Sequence, residues 1–441
     1  MPHVPAHADL ILQAPWIAPI EGPDRLLKDH AIVIAGTRIV DILPITEAGR
    51  RYKGGEIMRL DGHLLMPGFV NAHTHMAMHL FRGLADDLPL MTWLQEHIWP
   101  AESRVVSEQF VLDGSRLAAA EMIRSGTTCF ADMYFFPDAT AKVAAEAGLR
   151  ANLFCPVLDF PSAMCSGPED YLRAATQLAA KWEHEPLISV GIGPHAPYTV
   201  SDTPLARIAA LAEELNLPVM IHLHETAAEV DSSLDTVGAR PLDRIDRLNL
   251  LTKRLMAVHM TQLTDDEIAR LAETGTHVIH CPESNLKLAS GFCPVDQLLA
   301  AGVNVALGTD GAASNNDADM IGEMRTAALI AKGFTGRADA LPADTVLAMA
   351  TLNGARALGQ GDRIGSLLPG KQADIIAIDL NRIETQPVYD PIAQVVYAAG
   401  RDQVTHMWVA GRCLMADREL LTLNASGILR DVAQWQETIR D

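Results

Sequence analysis

The sequence predicts a parallel α/β barrel of eight strand–helix units, joined to a small β domain that is formed from both ends of the chain. Short apolar segments alternate with longer helical segments through the middle of the chain, whereas both ends carry only short apolar runs separated by turns. Nearly every central apolar segment is also followed by a histidine or an acid. The 441 residues suffice for one such barrel and a small added domain.

The central segments have the length of buried strands, and helical patterns such as residues 110–124, 203–215 and 264–274 separate them. About eight such units in one domain favour a closed barrel, although a doubly wound open sheet fits the periodicity almost as well. The predicted strands are residues 68–72, 127–132, 151–157, 187–192, 218–223, 255–258, 277–279 and 303–307.

The two chain ends have the pattern of strands and hairpins, with no long helix. Neither end is large enough for a core of its own, so we expect the two to close into one small β-sandwich domain. Residues 1–66 are predicted to begin this domain, residues 67–366 to form the catalytic barrel, and residues 367–441 to complete the domain and end in a C-terminal tail. The short apolar runs at the two ends are residues 31–36, 38–42, 61–66, 374–378, 404–411 and 413–415.

The charge of the chain argues against two classes of partner. Lys and Arg total 35 against 55 Asp and Glu, and the resulting net charge of −20 repels phosphate backbones and anionic membrane surfaces. No run reaches the roughly 18 to 20 apolar residues that a membrane span needs. We therefore expect neither a nucleic acid nor a membrane as partner.

The N-terminal stretch and the cysteines indicate a cytoplasmic protein. No Lys or Arg precedes the first apolar run, and Pro15 and Pro19 interrupt it, which is not the pattern of a secretory signal. The six cysteines include no C-x-x-C pair and fall mostly within apolar runs. We interpret them as reduced thiols.

A histidine or an acid follows nearly every predicted strand, although such residues do not contribute to the packing of a buried strand. The C-terminal ends of barrel strands converge on one face, where active sites of this fold are built, so these side chains are expected to meet there. They are His73, His75, Asp132, His195, His222, His224, Glu225, His259, His280 and Asp310.

Four of these positions have the spacing and chemistry of a metal site. His73 and His75 lie two apart on a strand, so both rings project to the same side and can bind one ion. His222 or His224 would supply a third nitrogen, and the spacing alone does not choose between them. Asp310 offers a carboxylate, although a turn or helix cap before a glycine would also use an aspartate. Three nitrogens and one oxygen suit a catalytic Zn²⁺ with one position left for water.

A resemblance to a known family becomes specific when these motifs are taken together. Residues 67–75 read PGFVNAHTH, His222-x-x-Glu225 and His259 follow, and residues 280–285 and 308–311 read HCPESN and GTDG. This set resembles the amidohydrolase superfamily and, more closely, the 5-methylthioadenosine/S-adenosylhomocysteine deaminase family. The similarity runs nearly from end to end of the chain. It implies a (β/α)8 barrel of the metal-dependent hydrolase type. As partners we expect a small-molecule nucleoside substrate and further copies of the same chain in a homo-oligomer.

The resemblance also implies a ligand set. It favours His222 over His224 and assigns one divalent metal, with Zn²⁺ expected first and Fe²⁺ or Mn²⁺ as alternatives. Binuclear members carry a bridging lysine at the end of the fourth strand, whereas residues 189–195 here read SVGIGPH, which favours a single metal. The implied ligands are His73, His75, His222 and Asp310.

The implied reaction is hydrolytic deamination of 5′-methylthioadenosine to 5′-methylthioinosine and ammonia, with S-adenosylhomocysteine and adenosine as further candidate substrates. A metal-bound hydroxide would attack the carbon that bears the exocyclic amine. Glu225 would protonate the neighbouring ring nitrogen, Asp310 would accept the proton of the attacking water, and His259 would orient the hydroxide. Substrate binding would fall to Glu102, by way of two ribose hydroxyls, and to His195, Glu225 and Asp310.

Two alternatives stay open at this point. The same scaffold and metal site also serve guanine or cytosine deamination and triazine or formimino hydrolysis. A barrel that has lost its chemistry is a more distant alternative. Within the deaminase reading, residues 153–160 contain no Arg or Lys that would pair with the carboxylate of S-adenosylhomocysteine, so the methylthio nucleoside is the expected substrate.

Overall fold

The computed structural model describes residues 6–440. Residues 1–5, on which part of the prediction about the N-terminal stretch falls, and residue 441 lie outside the described residues. The strands are β1 (Ala6–His7), β2 (Leu10–Ile17), β3 (Leu27–Ala35), β4 (Arg38–Pro44), β5 (Tyr52–Lys53), β6 (Glu56–Arg59), β7 (His63–Pro67), β8 (Phe69–Thr74), β9 (Thr127–Asp132), β10 (Arg150–Val157), β11 (Ile188–Pro194), β12 (Val219–Leu223), β13 (Leu255–His259), β14 (His277–His280), β15 (Val305–Leu307), β16 (Ile375–Asp379), β17 (Val404–Val409), β18 (Arg412–Ala416) and β19 (Glu419–Leu420).

Helices alternate with the strands of the central part of the chain. Two 3₁₀ helices (Met76–Phe81 and Arg401–Gln403) and one π-helical segment (Trp93–Ile98) accompany the α-helices. The α-helices are α1 (Ile45–Arg51), α2 (Leu90–Thr92), α3 (Trp99–Val105), α4 (Glu108–Ser125), α5 (Pro137–Ala147), α6 (Pro168–Trp182), α7 (Asp202–Glu214), α8 (Ala227–Val237), α9 (Pro241–Arg247), α10 (Asp265–Thr274), α11 (Pro282–Lys287), α12 (Val295–Ala300), α13 (Met320–Thr335), α14 (Ala343–Met349), α15 (Leu352–Ala357), α16 (Pro391–Tyr397) and α17 (Ala425–Arg440).

Strands β8 to β15 form the predicted barrel. They pair in parallel and in chain order, and every pair of neighbours is separated in sequence by at least one helix. An isolated parallel bridge between Thr74 and Asp310 joins the last strand to the first, and the Asp310 amide donates a hydrogen bond to His73 O at 3.0 Å. This closure excludes the open-sheet alternative, in which the two edge strands would lie apart.

The strand bounds follow the prediction within a few residues. Strand β11 continues two residues further than predicted because Pro194 still pairs with Val157 of β10. Strand β15 begins two residues later, because the Val303 amide bonds to Leu298 O and so completes the end of α12. Such end effects depend on tertiary pairing and on capping rather than on periodicity.

The chain ends meet in one β domain, as predicted, and its strands form a single mixed sheet. The order β19-β18-β17-β16-β7-β2-β3-β4, with β6 beside β2, joins strands from before and after the barrel. The junction is the antiparallel pairing of β7 with β16, in which Pro67 lies opposite Ile375. Leu12, Ile32, Leu65 and Trp408 share one buried core within this domain. The barrel and the small β domain from both ends are thus confirmed, while the domain boundaries at 66/67 and 366/367 stay a prediction.

The expectation that the C-terminal part contains strands and hairpins but no long helix is wrong, because residues 425–440 form helix α17. Its apolar residues recur at helical spacing, and the helix packs on the barrel helix α4 rather than on the small sheet. Trp435 Nε1 donates a hydrogen bond to Asp113 Oδ2 at 3.0 Å, and the Trp435 ring meets the Phe110 ring edge-on at 5.2 Å. Residues 425–440 therefore cover the barrel.

None of the helices within residues 6–440 is both long enough and apolar enough to cross a membrane.

Candidate metal centre and active site

The barrel brings four predicted ligands together at the C-terminal ends of three strands. His73 lies at the end of β8, one residue before its last residue, Thr74, and His75 follows that strand. His222 lies on β12, and Asp310 follows β15. His73 Nε2 lies 3.2 Å from His222 Nε2 and 3.3 Å from Asp310 Oδ1. His75 Nε2 lies 3.1 Å from the same Asp310 oxygen. The four ligand atoms lie within 4.8 Å of one another, so they share one centre.

Hydrogen bonds at Nδ1 of His75 and His222 determine that Nε2 is the ring nitrogen that can bind a metal. His75 Nδ1 donates to Met133 O at 2.6 Å, and His222 Nδ1 donates to His195 O at 2.6 Å. A carbonyl only accepts, so each Nδ1 carries the proton and each Nε2 presents a lone pair to the centre. Backbone carbonyls thus orient two ligands, as outer partners of metal-bound histidines commonly do.

The donor set fits a divalent cation. Nitrogen lone pairs and a carboxylate oxygen that face a common point repel one another unless a cation lies between them. The separations of 3.1 to 3.3 Å also suit ligands that each lie about 2.0–2.1 Å from one ion. Three imidazoles and one carboxylate form a donor set typical of Zn²⁺ and of other first-row divalent metals.

Close backbone packing brings Asp310 to this centre. A Cβ at Gly308 would lie 2.8 Å from the His73 amide nitrogen, so a side chain there would force β15 away from β8. Asp310 itself has a φ of 63°, a left-handed conformation that a non-glycine residue adopts rarely. His259 has a φ of 75° at the end of β13. Such backbone conformations are concentrated at functional sites, because the surrounding structure must enforce them.

His224, which spacing alone could not separate from His222, lies outside the metal cluster. Its φ is 51°, so the chain leaves the strand at this residue and the ring turns away from the centre. His224 Nε2 accepts the Leu242 amide at 3.0 Å, and Nδ1 lies 3.2 Å from Gln262 O. Both ring nitrogens therefore serve to fix the start of α9 and the segment after β13.

The far oxygen of Asp310 has partners of its own. Ser284 Oγ donates to Asp310 Oδ2 at 2.7 Å and Ser314 Oγ donates to it at 2.9 Å. Because Oδ2 is occupied in this way, Oδ1 is the oxygen that faces the two histidines. The next residue, Asn285, lies with Oδ1 2.8 Å from His259 Nδ1, so one turn of α11 supports two site residues.

Glu225 and His259 lie side by side next to the cluster. His259 Nε2 is 3.8 Å from Glu225 Oε2, and the His259 ring stacks on that of His222 with centroids 5.4 Å apart. Burial raises the pKa of Glu225, and the neighbouring His259 only partly opposes this. A carboxyl group held closer to its protonated form beside a metal centre can act as a general acid.

His195 lies beyond β11 and faces the same space. Its Nδ1 is 2.9 Å from Thr199 Oγ1, and its carbonyl is the acceptor for the ligand His222. Burial lowers the pKa of His195 to about 4, so the ring is neutral near pH 7. The residue thus offers a neutral hydrogen-bonding ring to a ligand.

A cavity of about 460 Å³ opens above the centre, and Glu102 lies in its wall. Glu102 is on α3, and its Oε1 accepts a hydrogen bond from Tyr134 at 2.7 Å. Burial raises the pKa of Glu102 to about 7, although the Tyr134 hydrogen bond opposes the shift. The cavity thereby brings Glu102 and His195 together with Glu225, His259 and Asp310.

The rest of the cavity wall is largely apolar. Much of it comes from residues 90–106, part of the long segment after β8 that was expected to cover the catalytic face. Within the described part of the chain, no Lys or Arg lines this cavity. The apolar lining includes Met78, Leu90, Trp93, Leu94, Ile98, Trp99, Met133, Phe135, Leu158, Phe160 and Leu288.

The basic residues of nearby segments are paired elsewhere. Arg82 binds Glu121, and Arg173 binds Asp170 on α6. Arg240 binds Glu267 at 2.7 Å, and Lys287 binds Asp86 at 2.5 Å. Each of these cations therefore has a carboxylate partner outside the cavity.

Two other polar strand ends do not join the metal cluster. Asp132 Oδ1 accepts the Met76 amide at 2.6 Å and so holds the start of the segment after β8. His280 is buried, with its pKa lowered to about 3 by burial and by the nearby His259. Both lie behind the site rather than in its cavity.

Sequence reasoning missed several residues of the site. Tyr134 lies two residues beyond the end of β9, so its place after a barrel strand was the available signal. Ser284 and Asn285 were noted only as letters of a motif. Ser314 carries no periodic signal, because it reaches Asp310 by way of an irregular loop.

Comparison with known proteins agrees with this geometry. The profile of the amidohydrolase family matches residues 64–414. A curated 5-methylthioadenosine/S-adenosylhomocysteine deaminase of Saccharophagus degradans is 52% identical over 433 residues, which cover 98% of this chain and 97% of that protein. A second, from Teredinibacter turnerae, is 51% identical and covers 98% of both chains.

The structural comparison gives the same result. The crystal structure of an adenosine deaminase from Xanthomonas campestris with bound zinc superimposes with a TM-score of 0.97 at 50% identity, over 99% of this chain and 100% of that one. The chain therefore belongs to the amidohydrolase family and, within it, to the group of the 5-methylthioadenosine/S-adenosylhomocysteine deaminases.

Proposed function

We propose that this protein deaminates 5′-methylthioadenosine hydrolytically to 5′-methylthioinosine and ammonia. The observation that carries the proposal is one cavity, lined both by Glu102 and by His75, His222 and Asp310 of the metal cluster. Its wall is otherwise largely apolar and, among residues 6–440, includes no Lys or Arg. An adenine ring would lie beside the metal cluster, a ribose beside Glu102, and an apolar 5′ substituent against the apolar wall. The names of the relatives support the same substrate class.

His73, His75, His222 and Asp310 would hold one divalent metal per chain, and zinc is the first expectation because a relative of 50% identity was solved with zinc bound. Such an ion supplies a Lewis acid that makes water a nucleophile near pH 7. The fourth strand of the barrel ends at Pro194 and is followed by His195, so it offers no lysine to bridge a second ion.

Three side chains would manage the protons of the reaction. The protonated carboxyl group of Glu225 donates to the ring nitrogen beside the carbon that carries the amine, so negative charge does not build up on the ring. Asp310 accepts the proton of the attacking water at Oδ1, because Oδ2 is already bound by two serine hydroxyls. It then passes this proton to the amine, which leaves as ammonia when its bond to the ring carbon breaks. His259 Nδ1 donates to Asn285 Oδ1, so Nε2 is directed toward the space between Glu225 and Asp310, where it orients the water.

Two side chains would bind the nucleoside. The Glu102 carboxylate has acceptor lone pairs for two neighbouring ribose hydroxyls. His195 offers its Nε2 to the substrate, because Nδ1 is engaged by Thr199. These contacts hold the reacting carbon against the metal centre, which is the geometric part of catalysis.

The two alternative functions are less well supported. Solved structures of a triazine hydrolase and of Escherichia coli guanine deaminase share the fold at only 21% and 22% identity, so they carry no argument about the reaction. A barrel without chemistry is not expected to keep a complete ligand set beside a buried Glu225.

Assembly and location are part of the proposal. We expect a homo-oligomer, which sedimentation analysis would test. The six cysteines are free thiols in the structure, which supports the proposed reducing, cytoplasmic setting.

The experiment is a substrate panel with ammonia release as the readout. Methylthioadenosine, S-adenosylhomocysteine, adenosine, adenine and guanine would be assayed with the metal-loaded full-length protein. We expect methylthioadenosine to have the highest kcat/KM. A higher value for guanine, or no ammonia from any nucleoside, would overturn the proposal.

A further inference from the structure

The Tyr134 hydroxyl has Glu102 as its hydrogen-bond partner. The tyrosine lies two residues past the end of β9 and is 4% exposed. Its hydroxyl donates to Glu102 Oε1 at 2.7 Å. Among the described residues, no other side chain hydrogen-bonds or pairs with the Glu102 carboxylate. Within residues 6–440, the Tyr134 hydroxyl therefore supplies the one side-chain hydrogen bond that fixes the rotation of this carboxylate.

The backbone around Tyr134 is tied to the metal centre. The preceding residue, Met133, accepts the His75 Nδ1 proton at its carbonyl at 2.6 Å. The Met133 amide in turn donates to Thr74 O at 3.0 Å. The segment that carries Tyr134 is thus fixed on the strand that carries two ligands. A hydrogen bond from Tyr134 therefore places the Glu102 carboxylate at a set distance from the reacting end of the cavity.

The chemistry of this contact leaves room for a ribose. A phenol donates one proton and so occupies one lone pair of Oε1, which leaves Oε2 and the second lone pair of Oε1 free. Burial and the adjacent Glu102 raise the pKa of Tyr134 well above its ordinary value, so the hydroxyl keeps this proton. Without the bond, a long Glu side chain would have to be ordered by the substrate itself, at a cost in rotamer entropy.

We propose that Tyr134 is a positioning residue that, by holding Glu102, sets the preference of the enzyme for ribonucleosides over deoxynucleosides. This inference rests on the proposed function, because it assigns the ribose hydroxyls to Glu102. The inference assigns a role to Tyr134, which belongs neither to the metal ligands nor to the proton-transfer groups. This role concerns recognition of the sugar rather than of the base.

The test compares Tyr134→Phe with the unaltered enzyme on adenosine and on 2′,3′-dideoxyadenosine, with equal metal content verified. We expect KM for adenosine to rise about tenfold with kcat little changed, a loss of about 1.4 kcal/mol in binding. The kcat/KM for dideoxyadenosine should stay the same, so the preference for the riboside shrinks. Tyr171→Phe, which removes a buried hydroxyl outside the cavity, should leave the preference unchanged.

The possible outcomes separate this inference from the proposed function. An equal loss on both nucleosides would assign Tyr134 a merely structural role, and kinetics unchanged on both nucleosides in Tyr134→Phe would show that Glu102 does not need it. Either result overturns the inference while deamination by the unaltered enzyme stands. Absence of any deamination by the unaltered enzyme would instead overturn the proposed function, and this inference with it.

Discussion

Ser284 Oγ lies 2.7 Å from Asp310 Oδ2, on the opposite side of the carboxylate from His73 and His75. Ser314 reaches the same oxygen at 2.9 Å, and the two serine hydroxyls are 3.1 Å apart. The carboxylate is thus held from behind by two neutral donors, which leaves its other oxygen for the metal centre.

Replacing Ser284 with Ala should lower metal affinity or kcat/KM by about 10- to 100-fold, because partners behind a metal ligand typically contribute this much. The loss in the Ser284→Ala/Ser314→Ala double variant should not equal the sum of the single losses, since both hydroxyls serve one oxygen. Metal titration and steady-state kinetics would measure both effects. Ser125→Ala, at a buried serine bonded to backbone carbonyls, is the control. Unchanged metal affinity and kinetics in Ser284→Ala would contradict this prediction.

His222 on β12 and His224 just after this strand give a matched test of the metal site. His222→Asn should lose the metal and the activity, whereas His224→Asn should keep near one equivalent of metal, because the His224 ring bonds to Leu242 and Gln262, outside the metal cluster. Elemental analysis after chelator-free purification would decide this, and zinc is expected. Full activity in a metal-free preparation would end the proposal of a metal-dependent reaction.

Glu225→Gln keeps the shape of the side chain and removes the proton that it would donate. Turnover should fall by about 10²-fold or more while the metal is retained. The variant is assayed with methylthioadenosine, and its metal content is measured in the same preparation. Loss of the metal would show that Glu225 is a ligand rather than the proton donor.

Local patterns in the sequence predicted the barrel and placed His73, His75 and Asp310 at strand ends. The choice of His222 over His224 came from the family resemblance, because spacing alone did not decide it. His73 and His75 project to the same side because the strand alternation reaches His75, whose φ of −128° is still negative. The same spacing fails at His224, where a φ of 51° ends the alternation. A rule about strand faces is valid only as long as the strand continues.

What the sequence did not predict depends on contacts between distant segments. Tyr134 and Glu102 are brought together by α3 folding back over the end of β9, and no local period records that approach. Helix α17 has a helical apolar spacing, but the partner that it covers, α4, is more than 300 residues away in sequence. Such pairings follow from the tertiary structure alone.

The stability of the protein should fall in mild acid, in part because of His79. Burial lowers the pKa of His79 to about 4, and the nearby Glu121 only partly opposes the shift. Since the folded-state pKa lies below the unfolded value of 6.5, the unfolded chain binds more protons between these limits. The contribution of His79 is therefore complete above pH 6.5 and is lost as the pH falls toward 4, by about 1 kcal/mol at pH 5.5.

Thermal unfolding of the metal-loaded protein between pH 7.5 and 5.5 would measure this effect. The Tm of His79→Asn should depend less steeply on pH than that of the unaltered protein. His184→Asn, at an exposed position, should keep the original slope. Identical slopes for all three proteins would show that His79 does not titrate differently in the two states.

The 5′ substituent of the nucleoside gives the last prediction. S-Adenosylhomocysteine carries a carboxylate, and no Lys or Arg of the described residues lines the cavity to pair with it. Asp159 does not line the cavity either, since its Oδ2 accepts the Ser201 amide at 2.9 Å. An unpaired carboxylate is costly to bury, whereas a methylthio group fits an apolar wall. We expect kcat/KM for methylthioadenosine to exceed that for S-adenosylhomocysteine by at least about tenfold, which needs only about 1.4 kcal/mol.

A variant at the cavity wall would test the physical reason for this preference. Phe160 lines the cavity and is 44% exposed, so an arginine there would stay hydrated and reach a substrate carboxylate. Phe160→Arg should narrow the preference by about threefold, the size expected of a partly exposed ion pair. Phe334→Arg, 62% exposed and outside the cavity, should leave it unchanged. Equal specificity constants for the two nucleosides in the unaltered enzyme would show that a cation from elsewhere, such as a neighbouring subunit, reaches the substrate.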